Sequence, residues 1–163
     1  MSLYDQLQGK NMSEKDLQIA LIEWFRVVYS KCLIVGNYKN GLQLYSSKGK
    51  KPFHLLREIE KLEGNMKGYP DIFIPKPLGK YHGLFIELKK EQSQAFTKEY
   101  RESKYTLDFD PTKHFSKNKA EVDRARLQFE YGLRLKAEGY FWSFGIGLDH
   151  TKTVITKYFL GDK

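Results

Sequence analysis

The chain has 163 residues, with 28 Lys and Arg against 20 Asp and Glu, a formal net charge of +8. An apolar content of 40% is enough for one core, so a single domain over 1–163 is expected, and no apolar run reaches the roughly 18–20 residues that span a bilayer. One cysteine, Cys32, excludes an intrachain disulfide framework and a cysteine-rich zinc site.

The opening MSLYDQLQGK has no apolar signal core, so an intracellular, cytoplasmic protein with an anionic partner is expected. Ser13 with Asp16 three residues on resembles a capping box, and a helix follows. Its apolar stripe is Leu17, Leu21, Trp24, Phe25 and Val28, at spacings of three and four. Residues 32–45 read as two short strands around a turn at 37–41, and 46–52 as a basic loop. Residues 54–63 read as a helix ended at Gly64. Short β-rich segments at 72–75 and 84–89 flank the Pro/Gly loop PKPLGKYHG. A long amphipathic helix is predicted over 121–138, ended by Gly139, and a closing hairpin of strands at 140–146 and 154–159. The order indicates an α/β fold around a small sheet. Residues 90–119 are too long for a bare connection and read as an insertion with some structure of its own, a lid, partner surface or substrate arm.

Charge is uneven along the chain. From Trp24 to Arg57 there are seven cations (Arg26, Lys31, Lys39, Lys48, Lys50, Lys51, Arg57) and no carboxylate, interleaved with Tyr29, Tyr38, Tyr45 and Phe53. Lysines attract phosphates and aromatic rings stack on exposed bases, a mixture suited to nucleic acid. A solvated lysine-rich surface over core aromatics has the same composition.

The most informative residues are Gly68-Tyr69-Pro70-Asp71-Ile72 and Phe85-Ile86-Glu87-Leu88-Lys89. Strand side chains alternate, so Glu87 and Lys89 share one face while Ile86 and Leu88 take the other. An antiparallel hairpin centred on Gly79 sets Asp71 opposite Glu87, Phe73 opposite Phe85, and Ile72 opposite Ile86. Opposed carboxylates destabilise a sheet unless one is protonated or a divalent cation sits between them. With Lys89 on the same face, the pattern supplies the parts of a metal-dependent hydrolytic site. Taken singly, an E-x-K triplet is equally an exposed strand ion pair, and Pro-Asp a turn.

With Ser13-Glu14 through Gln18, Lys67-Gly68-Tyr69-Pro70-Asp71-Ile72, Phe85-Ile86-Glu87-Leu88-Lys89, and Gln128 ahead of Gly139, the sequence resembles the VRR-NUC family of the PD-(D/E)xK nuclease superfamily. The resemblance implies a restriction-endonuclease-like αβββαβ core with a central mixed sheet flanked by helices. It implies Mg²⁺- or Mn²⁺-dependent hydrolysis of DNA, branched DNA and Holliday junctions included, by a homodimer like the small phage-type members, and extends to a phage- or prophage-encoded origin. It makes Asp71, Glu87 and the Leu88 carbonyl metal ligands, and Glu14, Asp71, Glu87, Lys89 and Gln128 the catalytic set. Lys39, Lys48, Lys50, Lys51 and Lys67 are the expected DNA-backbone contacts.

At about 100° per residue Glu14 falls on the stripe of Leu21, Phe25 and Val28, whereas Glu23 faces water. A first-turn carboxylate favoured by the helix dipole accounts for Glu14 as well. Gln128 lies in the apolar arc of its helix and needs a partner, either the site or a backbone group. His54, His82, His114 and His150 show no metal-ligand spacing and read as surface or loop residues, and Cys32 as a small core residue. Two further readings compete with the nuclease: a non-catalytic nucleic-acid-binding module on the same fold, and an interaction protein that grips a partner through 90–119.

Overall fold

A computed structural model describes residues 12–36, 68–103 and 111–161. Helix α1 (Glu14–Val28) leads into strand β1 (Val35–Gly36), followed by β2 (Ile72–Ile74) and β3 (Leu84–Lys89). A short helix α2 (Lys98–Ser103) and a 3₁₀ turn (Pro111–His114) precede the long α3 (Lys119–Ala137), then β4 (Phe141–Ile146) and α4 (Gly147–Leu160). The four strands form one mixed sheet in the order β1-β2-β3-β4, antiparallel except for the parallel pair β3/β4 that α3 connects. The fold is therefore α/β and restriction-endonuclease-like, with helices on both faces of the sheet.

The two helices α1 and α3 start where the sequence offers a side-chain cap, whereas α4 follows Ile146 without one. The Ser13 hydroxyl accepts the Asp16 amide at 3.2 Å and donates to the Asp16 carboxylate at 2.6 Å. At α3 the Asn118 side chain accepts the Glu121 amide. α1 buries Leu17, Ala20, Leu21, Ile22 and Phe25 against the sheet. Val28, expected on that stripe, is 51% exposed: it is the last residue of the helix, which ends at the Tyr29 cap.

The hairpin register is the one centred on Gly79, with Ile72 paired to Ile86, Phe73 to Phe85 and Ile74 to Leu84. A two-residue turn, Gly79–Lys80, closes it, with Gly79 at φ +56° in the left-handed region. Leu84, Ile86 and Leu88 join α1 and α4 in one core, together with Ile72 and Ile74. On the other face, Phe85 packs with Trp142, Phe144 and Ala125 of α3, and the Phe73 and Phe85 rings stack at 4.2 Å. Every residue of β3 is buried, as expected for a central strand covered on both sides.

Within 90–119, the described residues do carry structure of their own. Ala95, Phe96 and Tyr100 are buried in the second core, and Phe96 bridges to Phe115. The predicted closing hairpin is not formed. Residues 140–146 include β4, but 154–159 lie in α4. Their β-branched run Thr153-Val154-Ile155-Thr156 suggested a strand, yet Leu148, Thr151, Val154, Ile155 and Tyr158 are buried at helical spacing. Packing of that stripe against α1 and β3 outweighs β propensity. The helix at 54–63, the basic loop at 46–52 and the second strand of 32–45 lie outside the described residues. Among the described residues no helix is long and apolar enough to cross a membrane.

α3 approaches the sheet closely at Gly132, where an added Cβ would fall inside the van der Waals envelope of the Trp142 ring. Alanine is the better helix former by roughly 1 kcal/mol. Gly132→Ala is nevertheless expected to destabilise the fold by about 1–3 kcal/mol through overpacking, as measured by urea denaturation.

Candidate active site

Asp71 stands one residue before Ile72, whose pairing with Ile86 is the last of the hairpin, so it lies at the open end of the hairpin beside the Glu87–Leu88 backbone. Its Oδ2 accepts the Leu88 amide at 2.9 Å, which ties the carboxylate to the backbone of the E-x-K strand. Gly68, at φ +90°, lets the turn before Asp71 press on α3; an added Cβ there would lie 3.0 Å from the Leu127 carbonyl oxygen and 3.4 Å from the Gln128 Cα. One glycine thus sets the spacing between the Asp71 turn and Gln128.

Glu87 is 2% exposed and Lys89 5%. The Lys89 ammonium donates to Glu87 Oε1 at 3.1 Å, and the Gln128 amide Nε2 donates to the same oxygen. Glu14 Oε1 lies 4.0 Å from Lys89 Nζ, with its side chain 48% exposed. Glu14 therefore reaches the site from its rim, and is not buried along the core-facing stripe. The fourth residue of its helix beyond it, Gln18, donates from Nε2 to the Asp71 carbonyl at 3.4 Å. Gln18 was not among the expected site residues. Its signal was a polar side chain one turn from Glu14 on the same face of α1.

Five of the expected residues thus gather at the C-terminal end of β3: Asp71, Glu87 and Lys89 from the hairpin, Gln128 from α3 and Glu14 from α1. Lys39, Lys48, Lys50, Lys51 and Lys67 lie outside the described residues. His82 is exposed and His114 stacks on Tyr100. His150, expected at the surface, is instead buried in the first turn of α4, where its Nδ1 accepts the Ile146 amide at 3.0 Å. Cys32 is half-buried against the first core.

Beside the carboxylates, Tyr69 packs edge-on to Phe85 and to Tyr131, one turn beyond Gln128. Burial, with Tyr131 and Tyr140 nearby, pushes the Tyr69 hydroxyl above its ordinary range, so it stays neutral near pH 7.

The donors available to a metal are hard oxygens: the Asp71 and Glu87 carboxylates and the Leu88 carbonyl between Glu87 and Lys89. Among the described residues no three His, Cys, Asp or Glu side chains are placed to hold one ion, so the set is two carboxylates and a backbone carbonyl. Two carboxylates completed by a carbonyl and water match what Mg²⁺ or Mn²⁺ accepts. The buried Gln128 Oε1, without a hydrogen-bond partner among the described residues, adds an oxygen that could receive a water there.

No protein-family model matches the sequence, and no curated protein matches it. Among solved structures, a VRR_NUC domain protein is similar to this chain, with 25% sequence identity and a TM-score of 0.51, covering 94% of this chain and 93% of that one. The chain has a VRR-NUC-like fold.

Gly68→Ala is expected to cost about 1–3 kcal/mol, because alanine at this positive φ is strained and its methyl meets the Leu127 carbonyl. Chemical denaturation measures the loss. A neutral result would show that the Asp71 turn does not depend on close approach to α3.

Proposed function

We propose that the chain is a nuclease that hydrolyses phosphodiester bonds in DNA with Mg²⁺ or Mn²⁺, held by Asp71, Glu87 and the Leu88 carbonyl. The observation that carries this reading is the meeting of two carboxylates and the Lys89 ammonium at one end of a buried strand, in a fold shared with a VRR_NUC domain protein. When bound, the cation supplies positive charge against the scissile phosphate and lowers the pKa of a coordinated water.

The chain's own residues do the remaining work. Lys89 places its Nζ 3.1 Å from Glu87 Oε1, where it can orient a water and stabilise charge building on the phosphate oxygens. Gln128 fixes the Glu87 rotamer by donating to Oε1, and Gln18 and the Leu88 amide fix Asp71 from both sides. Glu14, at the rim, biases the Lys89 ammonium toward the entrance of the site. Water adds to phosphorus, one P–O ester bond breaks, and the departing oxygen takes up a proton. The basic stretch from Trp24 to Arg57, with Lys67, would hold the phosphate backbone without reading sequence. Branched DNA, a homodimeric assembly and a cytoplasmic site of action extend the same proposal.

Purified protein incubated with linear, flap and four-way DNA is expected to cut at least one of them with Mn²⁺ or Mg²⁺ and none with EDTA. Asp71→Ala, Glu87→Ala and Lys89→Ala should each lower the cleavage rate by about 100-fold or more while circular dichroism stays native. Undiminished cutting by the Glu87→Ala protein would reject the site. Salt-sensitive DNA binding without cutting under either metal would favour the binding-module reading instead.

A further inference from the structure

A concave surface lies beyond the other end of β3, whose first residue, Leu84, is about 10 Å along the strand from Glu87. It is a groove of about 350 Å³ where the Gly79–Lys80 turn meets the start of β4 and the end of α4. That volume is at the lower end of the range for small-ligand clefts, roughly 300–1,000 Å³. Tyr81, Phe141 and Tyr158 form its ring-bearing wall, with Tyr81 edge-on to Phe141 at 5.2 Å. The wall is held in place because the Tyr158 hydroxyl donates to the Lys76 carbonyl at 2.5 Å.

Lys80 and Lys157 also line the groove, and among the described residues no carboxylate does. The exposed Lys80 places its ammonium 5.3 Å from the centre of the Tyr81 ring, so cation and aromatic surface adjoin. Aromatic side chains accept the face of any base, and a lysine beside them accepts phosphate. A ligand carrying both a flat ring and an anionic group satisfies the two features together.

We propose that this groove binds a nucleotide, with the base against the Tyr81 and Phe141 rings and the phosphate at Lys80. The choice of a nucleotide over other ring-bearing anions rests on the nuclease reading above. The nucleotide belongs either to an unpaired stretch of a DNA strand or to the free pool; both present the same chemistry to the groove.

The test is calorimetric titration of the full chain in EDTA, so binding is read without any cleavage. The probes are deoxyadenosine monophosphate, adenosine, inorganic phosphate and a five-nucleotide single strand. Deoxyadenosine monophosphate is expected to bind more tightly than adenosine or phosphate alone. Lys80→Glu and Tyr81→Leu should each weaken it at least about tenfold, the size of one lost stacking or phosphate contact. Lys89→Ala, at the far end of the strand, should bind it as the wild type does. Tighter binding of the single strand than of the mononucleotide would assign the groove to a DNA strand, and equal binding to free nucleotide; either supports it. Should Tyr81→Leu fail to fold, the exposed Lys80→Glu carries the test. Absence of saturable binding, equal affinity in Lys80→Glu, or loss confined to Lys89→Ala would overturn the proposal. Because no arm needs catalysis, a protein that cuts DNA but fails here loses only the groove, and one that binds here without cutting loses only the nuclease reading.

Discussion

The structure depends on keeping a carboxylate and an ammonium inside a strand that is covered on both faces. Glu87 and Lys89 sit among residues otherwise apolar, each nearly inaccessible to water. Removing such charges from solvent costs several kcal/mol per ion unless partners compensate. The compensation is local: Lys89 and Gln128 both donate to one oxygen of Glu87, and Glu14 adds negative charge on the far side of Lys89. Replacing the pair with leucines would be a simpler way to fill a central strand. That charged groups occupy it is the strongest physical reason to look for chemistry there.

The surrounding fold converts that local arrangement into a site. Parallel pairing of β3 with β4 requires a crossover, and the crossover helix α3 brings Gln128 over the sheet face that carries Glu87 and Lys89. α1 covers the opposite face, and its first two turns bring Glu14 to Lys89 and Gln18 to the Asp71 carbonyl. Two glycines permit close approaches: Gly68 for the Asp71 turn against α3, and Gly36 of β1, where an added Cβ would strike the Gln18 amide.

The site was legible in the sequence because a hairpin obeys simple arithmetic. A glycine at the turn centre and a side-chain period of two were enough to pair Phe73 with Phe85 and Ile72 with Ile86, which leaves Asp71 beside the backbone of the E-x-K strand. The α1 cap was equally legible, since Ser13 and Asp16 act locally. What failed was whatever depended on distant packing. α4 was misread because β-branched residues fill its core-facing stripe, and only contact with α1 and β3 shows that the helix wins. Gln18 shares a helix face with Glu14, but its partner is a backbone carbonyl 53 residues away, which the helix face alone does not name. His150 was placed at the surface for the same reason, its acceptor role being set by the β4–α4 junction.

The central claim is that the Asp71 and Glu87 carboxylates form one cation site. Its most direct measurement is Mn²⁺ binding followed by electron paramagnetic resonance, with native circular dichroism as the folding control, for wild type, Asp71→Asn, Glu87→Gln and the double variant. The account predicts a saturable site in the wild type that each single substitution weakens strongly and the double variant lacks. Mn²⁺ affinity unchanged across all four proteins would contradict it.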